Sequence, residues 1–317
     1  MKFYYLFFIL LFSFKGYCQY EKYPFYKYVY IAEYLKLDSN YKEAIKYYKK
    51  AFRYDAPDKW QYYYETATCY NKLNKKYITI RYLQKYINSG ARLNWITDTN
   101  NIKDSYYWKR LVKRYDKMRS NYYKKINIDY LCEISALYGF DQLSRDRYYF
   151  SKKIISDTIL WSVQAKIDKS VIKKIIILSK KYEWPTVRNV GIEGVSYLDL
   201  YTWHHRGNKY DTDTIWKQIK PLINKEIERG NIPPYYFAYF EDTKLIYNEK
   251  KQKYGTQTTL KKEGKIVCFE PIENIELVDK YREEVGLEPL YIYSRKQNIK
   301  LPDGYIIPDY LKNLDKK

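Results

Sequence analysis

Glycine, proline and cysteine are scarce in this sequence of 317 residues, which contains 11, 10 and 4 of them respectively. So few glycines and prolines exclude collagen-like and linker-rich architectures. No apolar run beyond the N-terminus approaches the roughly 20 residues that a membrane-spanning helix needs, which excludes a multi-span membrane protein. Apolar residues nevertheless make up 46% of the chain, and 43 residues are tyrosine, so a disordered chain is excluded too. The composition predicts a folded, mostly helical, tyrosine-rich protein.

The chain is strongly basic, with 58 lysines and arginines against 37 aspartates and glutamates and a net charge of +21. A polyanion partner such as nucleic acid is one interpretation, because clustered cations release counterions from polyanions. The basic residues are dispersed, however, and occur in pairs such as Lys49-Lys50 and Lys124-Lys125, which is typical of solvated helix faces. Lysine, tyrosine, isoleucine and asparagine are also enriched together, as an A/T-rich coding sequence would produce. The pattern therefore does not favour a nucleic-acid partner.

Residues 1–18 have the features of a secretory signal peptide. Lys2 precedes a short apolar segment, and Gly16 and Cys18 stand at the −3 and −1 positions of a cleavage site. Cleavage after Cys18 predicts an exported protein, periplasmic or secreted, without a transmembrane span. Lipid anchoring at Cys18 is the alternative, which Tyr17 disfavours because lipoproteins need a small residue there.

Three cysteines remain after cleavage, namely Cys69, Cys132 and Cys268. Their wide spacing lacks the close pairs of zinc and redox sites, and the chain has only two histidines, so no metal and no cofactor are predicted. We expect three buried thiols, since free cysteine is commonly buried. One disulfide among the three is the alternative in an oxidising compartment.

The N-terminal half shows helical periodicity from about residue 25, in two stretches that resemble each other. Small residues recur at equivalent positions, as at Ala32 and Ala67, and residues 40–52 read NYKEAIKYYKKAF. This pattern resembles the tetratricopeptide repeat, in which small residues stand where paired helices cross. The second stretch departs from it, because Ile80 occupies a position that should hold alanine. An arbitrary helical hairpin is the alternative.

We therefore expect tetratricopeptide-like repeats over residues 19–91. Two such units cannot bury their faces alone, because each repeat contacts only its neighbours. Residues 92–129, which are helical in pattern from Ser105 onward, are interpreted as bridging helices to the second half.

The C-terminal half carries a series of ordered motifs. They are Asp141-Gln142-Leu143-Ser144-Arg145, Lys181-Tyr182-Glu183-Trp184-Pro185-Thr186 with Val190-Gly191, Trp203-His204-His205, Ala238-Tyr239-Phe240-Glu241-Asp242, Tyr254-Gly255-Thr256-Gln257, and Arg282 with Gly286-Leu287 and Pro289-Leu290. In this order they resemble the bacterial domain of unknown function 6624 family. The resemblance implies a domain over residues 130–296, followed by a tail at 297–317. It implies no assigned activity.

Periodicity and caps predict the elements of this half. Helices are expected from 154 to 182, from Gly191 to about His205, from Asp213 to Gly230, after Pro233-Pro234, and from Asn274 to Gly286. Residues 244–247, 254–260 and 265–269 carry strand formers, with a turn at Glu263-Gly264. The fold class expected for the whole chain is mainly α, with N-terminal tetratricopeptide-like helical hairpins packed on a mostly helical C-terminal domain that has a small antiparallel β element.

Candidate functional residues come from the motifs. The candidate catalytic residues are His205, His204 and Asp242, and the candidate ligand-binding residues are Gln142, Arg145, Trp184, Tyr254 and Gln257. A histidine can act as a general base, and Glu193, Asp199 or Asp242 could orient it. Structural roles at turns and helix ends are the favoured explanation of the same residues. The sequence has no GxSxG, HExxH or phosphate-loop motif.

Three functional hypotheses follow, and the first is favoured. The protein is an exported envelope binding or scaffold protein whose helical repeats recognise a protein or peptide partner, with a small-molecule ligand as a further possibility. Alternatively, it is an envelope hydrolase or transferase that acts on a peptide or glycan with a histidine general base. The third hypothesis is a polyanion binder.

Overall fold

A computed structural model describes residues 22–98, 102–151, 157–206, 212–260 and 266–312. Side chains are described within these ranges except at 147–151, 157, 203–206, 212–213, 260 and 266–267. The predicted signal peptide at 1–18 and the predicted turn at Glu263-Gly264 lie outside the described residues.

The described residues form 14 α-helices, one short 3-10 helix at Leu93–Trp95 and one two-stranded sheet. The first ten helices are α1 (Pro24–Leu37), α2 (Tyr41–Ala51), α3 (Lys59–Lys72), α4 (Lys76–Asn88), α5 (Tyr106–Lys113), α6 (Tyr115–Tyr123), α7 (Ile128–Ser151), α8 (Asp157–Tyr182), α9 (Gly191–Arg206) and α10 (Thr212–Glu228). They are followed by α11 (Tyr236–Tyr247), β1 (Thr258–Leu260), β2 (Ile266–Phe269), α12 (Val278–Glu284), α13 (Leu290–Gln297) and α14 (Asp309–Lys312). The prediction of a mainly helical chain with a small β element is confirmed.

The chain divides into two compact units. Unit 1 combines the segment up to Tyr54 with the segment from Phe237 onward, and unit 2 is the continuous segment Asp55–Tyr236. These units are defined by packing, so the domain boundaries expected from kinship and repeats, at 91, 129 and 296, stay predictions.

Each unit contains one helical hairpin of the N-terminal half. In unit 1, α1 packs against α2, and in unit 2, α3 packs against α4. The small residues predicted at the helix crossings are fully buried, as Ala32, Ala44 and Ala67 show, and Ile80 is also buried. Small side chains let two helix backbones approach closely, which explains the repeated spacing. The kinship with tetratricopeptide repeats stays a prediction.

The β element is shorter than the sequence suggests. Strands β1 and β2 pair antiparallel, with Thr258 opposite Phe269 and Thr259 opposite Cys268. The strand expected at 244–247 is wrong, because these residues form the last turn of α11. A four-residue run of strand formers does not distinguish a strand from a helix end, and here a continuous helical pattern upstream decides the outcome.

In unit 2, α7, α8 and α9 pack against one another, and the Tyr201 hydroxyl of α9 donates to the Ile134 carbonyl at 2.9 Å. Helix α9 begins at Gly191, whose φ of +74° is a left-handed conformation. A Cβ atom there would lie 2.0 Å from the Tyr122 hydroxyl, which accepts a hydrogen bond from the Ile192 amide. Only glycine fits this start, so the close approach of Tyr122 sets where α9 begins.

Among the described helices, none has the length and apolar character that crossing a bilayer requires. The expectation of three buried thiols is wrong, since Cys69 is buried but Cys132 and Cys268 are exposed, and no disulfide joins these three described cysteines.

Candidate functional site

A recessed cavity of about 290 Å³ lies within unit 2. Three segments form it, namely the start of α3, the loop between α8 and α9 with the first turns of α9, and the connection between α10 and α11. Its lining residues are Pro57, Asp58, Trp60, Gln61, Trp184, Pro185, Thr186, Val187, Ile192, Val195, Ser196, Leu198, Asp199, Asn231, Ile232, Pro233, Tyr235 and Tyr236. We call this cavity the aromatic pocket, because two tryptophans and two tyrosines contribute to its wall.

The loop that carries Trp184 is held by local hydrogen bonds. Helix α8 stops at Tyr182 because Glu183 adopts a left-handed φ of +67°, a common way to end a helix. The Asn189 side chain then closes the loop, accepting from the Thr186 amide at 2.6 Å and donating to the Trp184 carbonyl at 3.1 Å. Trp184 is therefore fixed in place, with only 2% of its surface exposed.

Helix α9 presents one face to the aromatic pocket. Ile192, Val195 and Asp199 follow one another at helical spacing, so a single stripe of the helix supplies apolar side chains and one carboxylate. Asp199 lines the cavity with part of its surface open to solvent, while the protein atoms around it desolvate its carboxylate. This desolvation raises the pKa of Asp199 from 3.8 to about 7, although a hydrogen bond with the Tyr236 hydroxyl acts in the opposite direction.

Tyr236 links the carboxylate to the rest of the pocket. Its hydroxyl lies 3.4 Å from the Thr202 hydroxyl, and burial, together with the charge of Asp199, raises the pKa of the Tyr236 phenol. The phenol therefore stays protonated near neutral pH and can donate a hydrogen bond to Asp199 or to a bound group.

A second carboxylate lines the pocket but serves the fold. Asp58 occupies the N-cap position of α3 without capping it through its side chain, and instead accepts a hydrogen bond from the Tyr235 hydroxyl at 2.7 Å. Only 4% of Asp58 is exposed, so it is much less accessible than Asp199. The interaction ties the start of α3 to the connection between α10 and α11.

Unpaired polar atoms concentrate at this pocket. Among the described residues, three buried side-chain nitrogen or oxygen atoms have no hydrogen-bond partner, and two of them belong to lining residues: the Trp184 indole nitrogen and the Asn231 side-chain oxygen. A buried polar group without a partner costs about 1–3 kcal/mol, and such groups call for an ordered water molecule or a ligand.

The predicted residues Gln142 and Arg145 belong to a different cluster, between α7 and α8. Arg145 donates to Asp168 at 2.7 Å and to Asp141 at 3.3 Å. Gln142 donates to the same Asp141 at 2.7 Å. The bond from Arg145 to Asp168 joins α7 to α8, and neither Gln142 nor Arg145 lines the aromatic pocket.

The predicted residues Asp242, Tyr254 and Gln257 lie together in unit 1. Asp242 is fully buried, and its carboxylate accepts from the amides of Lys253, Tyr254 and Thr256. Gln257 donates to the Tyr239 carbonyl at 3.3 Å. Arg282 also binds this loop, since it donates to the Tyr254 carbonyl at 2.6 Å. This arrangement shapes the loop that precedes β1.

The side chains of His204 and His205 lie outside the described residues, and only their position in the last turn of α9 is known. Among the described residues, no three histidine, cysteine, aspartate or glutamate side chains gather into a group that could hold a metal ion.

A larger and more open depression, of about 750 Å³, lies elsewhere in unit 2 and includes Arg92, Arg119 and Lys124 in its lining. Glu193 holds both arginines, at 2.8 Å from Arg92 and 2.7 Å from Arg119. Burial raises the pKa of Glu193, but the hydrogen bonds and charges of the two arginines outweigh it, and the net shift is downward. The cluster is a satisfied ion network, so the aromatic pocket is the stronger candidate.

Sequence reasoning identified one wall of the pocket and missed the others. Trp184 was predicted as a ligand-binding residue, and it lines the cavity. Asp199 was considered only as a partner for a histidine, although its helical spacing with Ile192 and Val195 was a usable signal. Asp58 and Trp60 gave no signal, because they lie more than 120 positions before Trp184 and meet it only through tertiary folding.

Comparison with known proteins and protein families gives one match, which is to a family. No curated protein and no solved structure matches the chain. The model of one family, described as a family of unknown function (DUF6624), matches residues 133–305, which is more than half of the sequence and includes Trp184, Asp199 and Tyr236 but neither Asp58 nor Trp60. The chain therefore belongs to the DUF6624 family of unknown function.

Proposed function

We propose that this protein is an exported binding protein, and that its aromatic pocket holds a short segment of a protein or peptide partner. The observation that carries the proposal is a recessed cavity with four aromatic side chains and one accessible carboxylate in its lining, two of whose lining residues, Trp184 and Asn231, also have a buried polar atom without a partner. A pocket with an apolar, aromatic wall and a few polar groups is the usual form of a ligand site.

The size of the cavity limits the ligand. Sites for drug-sized molecules and cofactors occupy about 300–1,000 Å³, and the aromatic pocket, at about 290 Å³, lies just below this range. It accommodates one side chain with its adjoining peptide group, or a single sugar ring. A partner that also contacts helical surfaces outside the cavity would add affinity that the cavity alone cannot provide.

A pocket-filling substitution tests this proposal. Ser196 lines the cavity and is exposed, so Ser196→Trp places an indole there without disturbing the core. Thermal melting of the protein, as its host produces it, is measured with a library of short peptides and glycan fragments. We expect stabilisation by a subset of peptides, because a ligand that binds only the native state raises the melting temperature, and we expect Ser196→Trp to abolish it.

The matched control is Ser120→Trp, which changes an exposed serine of α6 outside the pocket and should keep the stabilisation. If no peptide stabilises the wild-type protein, or if both variants respond alike, the binding proposal is wrong.

A second candidate function, an envelope hydrolase or transferase acting on a peptide or glycan, rests on Asp199. A group whose pKa of about 7 lies near the working pH is suited to proton transfer, and Tyr236 is placed to assist it. Mass spectrometry of peptides and glycan fragments incubated with the protein would detect turnover. We expect Asp199→Asn to abolish any turnover found. In the same assay, loss of turnover in His205→Ala would support the histidine-base hypothesis.

Export is part of the proposal and rests on residues 1–18. The mass of the protein recovered from its host distinguishes the alternatives. Cleavage after Cys18 gives a chain that begins at Gln19, whereas lipid anchoring keeps Cys18 and adds the mass of acyl chains.

A further inference from the structure

The aromatic pocket differs in charge from the rest of the chain. The sequence has a net charge of +21, yet the described residues that line the pocket include two carboxylates, Asp58 and Asp199, and neither lysine nor arginine. An anionic ligand would meet two acidic groups there without a compensating cation. The lining therefore selects against anions and favours neutral or cationic groups.

The walls of the pocket suit a cation. Trp60, Trp184, Tyr235 and Tyr236 contribute aromatic rings, and the faces of such rings attract ammonium groups once water is displaced. A sugar ring would also pack on such rings, but its several hydroxyls need donors and acceptors in roughly equal number. The Asp58 carboxylate is largely buried and bonded to Tyr235, so Asp199 is the accessible acceptor.

We propose that the aromatic pocket takes the primary ammonium group of a lysine side chain of the partner, and that Asp199 receives it as an ion pair. This inference rests on the proposed function, because it names the chemistry of the peptide segment. A lysine side chain supplies an apolar stem for the aromatic wall and one charged end, which matches both the size of the cavity and its lining.

Ionisation of Asp199 should control the affinity. The titratable groups that line the pocket are Asp58, Asp199, Tyr235 and Tyr236, and of these Tyr236 is the one that acts on the pKa of Asp199. With that pKa at about 7, roughly one tenth of the molecules carry the ionised form at pH 6 and roughly nine tenths at pH 8. Since affinity scales with the competent fraction, binding of an ammonium group should strengthen about tenfold from pH 6 to pH 8.

Matched probes test the proposal. Nα-acetyl-lysine methylamide and Nα-acetyl-norleucine methylamide have side chains of similar length and differ in the ammonium group. Binding of both is measured by ¹⁹F NMR of protein that carries 5-fluorotryptophan at its seven tryptophans, with N-acetylglucosamine as a third probe. We expect the lysine probe to shift the Trp60 and Trp184 signals, and to bind at least tenfold more tightly than the norleucine probe.

Asp199→Asn is the decisive variant, because asparagine keeps the shape of the side chain and removes its charge. We expect this variant to bind the lysine probe at least tenfold more weakly and to bind the norleucine probe as the wild type does. Its affinity for the lysine probe should also no longer depend on pH. The control is Asp116→Asn, which removes a carboxylate outside the pocket and should bind like the wild type.

The outcomes separate this inference from the proposed function. If norleucine binds as tightly as lysine, or if Asp199→Asn binds lysine normally, the pocket holds peptides but not an ammonium group, and this inference alone is wrong. If the sugar binds and neither amino-acid probe does, the ligand is a glycan and the inference is also wrong. If no probe binds and the peptide library gives no stabilisation either, both proposals fail.

Discussion

Two aspartates, one in each unit, show how differently the same side chain can be used. Asp242 in unit 1 is fully buried, and its oxygens accept from three backbone amides. Asp199 in unit 2 is exposed into a cavity, and burial among protein atoms raises its pKa to about 7. Asp242 uses its acceptors to hold a loop, whereas Asp199 interacts with the Tyr236 hydroxyl and is open to the cavity. Asp242 belongs to a family motif, and in this structure its role is to hold a loop.

The largest effect should come from Asp242→Ala. This change leaves the amides of Lys253, Tyr254 and Thr256 without an acceptor inside the protein, so we expect a loss of about 3–5 kcal/mol in the free energy of unfolding. Urea denaturation measures the loss. Asp199→Ala in the same experiment should cost far less, and equal losses for the two variants would remove the distinction between them.

Gly191→Ala should have the next largest effect. The new Cβ atom would meet the Tyr122 hydroxyl, whose ring cannot retreat because the Gly90 backbone lies close behind it. Together with the left-handed φ, this should destabilise the protein by about 2–4 kcal/mol. Gly230→Ala is the control, because Gly230 has a similar φ of +70° and open space around it, and should cost only about 1 kcal/mol. Equal losses would show that Tyr122 does not fix the start of α9.

The pH dependence of stability sharpens the comparison further. The folded pKa of Asp199, about 7, lies above its ordinary value of 3.8, so the folded state binds more protons than the unfolded state between these values. Its contribution to stability therefore falls as the pH rises towards 7. Asp199→Asn lacks this dependence, and its stability relative to wild type should increase from pH 5 to pH 8. A constant difference would contradict a raised pKa.

Glu283→Gln is the matched control for that experiment. Burial raises the pKa of Glu283 in unit 1 to about 7 as well, against the opposing charge of Lys27. This variant should show the same pH-dependent gain in relative stability, but it should leave binding of the lysine probe unchanged, because Glu283 does not line the pocket.

The smallest effect should come from Arg188→Ala. Arg188 lies in the loop beside Trp184 and pairs with Asp55 at 3.1 Å, with both side chains more than half exposed. Exposed ion pairs contribute about 0–1 kcal/mol, so we expect a change below about 0.5 kcal/mol in the free energy of unfolding and no change in ligand binding. Scanning calorimetry measures the change in stability, and titration calorimetry with the lysine probe measures the change in binding. A large loss of affinity would extend the site beyond the pocket.

The parts of the fold that sequence analysis predicted are those with strong local signals. The helix from Asp213 to Gly230 was expected from its periodicity and stop signal, and α10 covers Thr212–Glu228. The helix expected to begin at Asn274 begins later, at Val278, because the Asn274 side chain accepts from the Leu277 amide in a turn before the helix. Helix α13 begins directly after Pro289 and was not predicted, since eight residues give too little periodicity.

The candidate site was less predictable than the fold. Trp184 stood out because tryptophan beside proline in a motif attracts attention, but the aromatic pocket also needs Trp60 and Tyr236, which are far apart in sequence. The raised pKa of Asp199 arises from the protein atoms around it, and a sequence does not show what surrounds a side chain. Tertiary contacts thus determine which polar residues remain free to act.

The discontinuity of unit 1 has a consequence for the order of events during synthesis. Its two segments are separated by all of unit 2, and contacts such as Arg295 with Asp38, at 2.7 Å, join residues 257 positions apart. At about 5–20 residues per second, a ribosome needs about 9–36 s to make the 182 residues from Asp55 to Tyr236. During that interval α1 and α2 lack the C-terminal segment of unit 1 against which they pack, whereas the residues of unit 2 are being completed. Unit 2, which carries the aromatic pocket, is therefore the first of the two units to be completely synthesised.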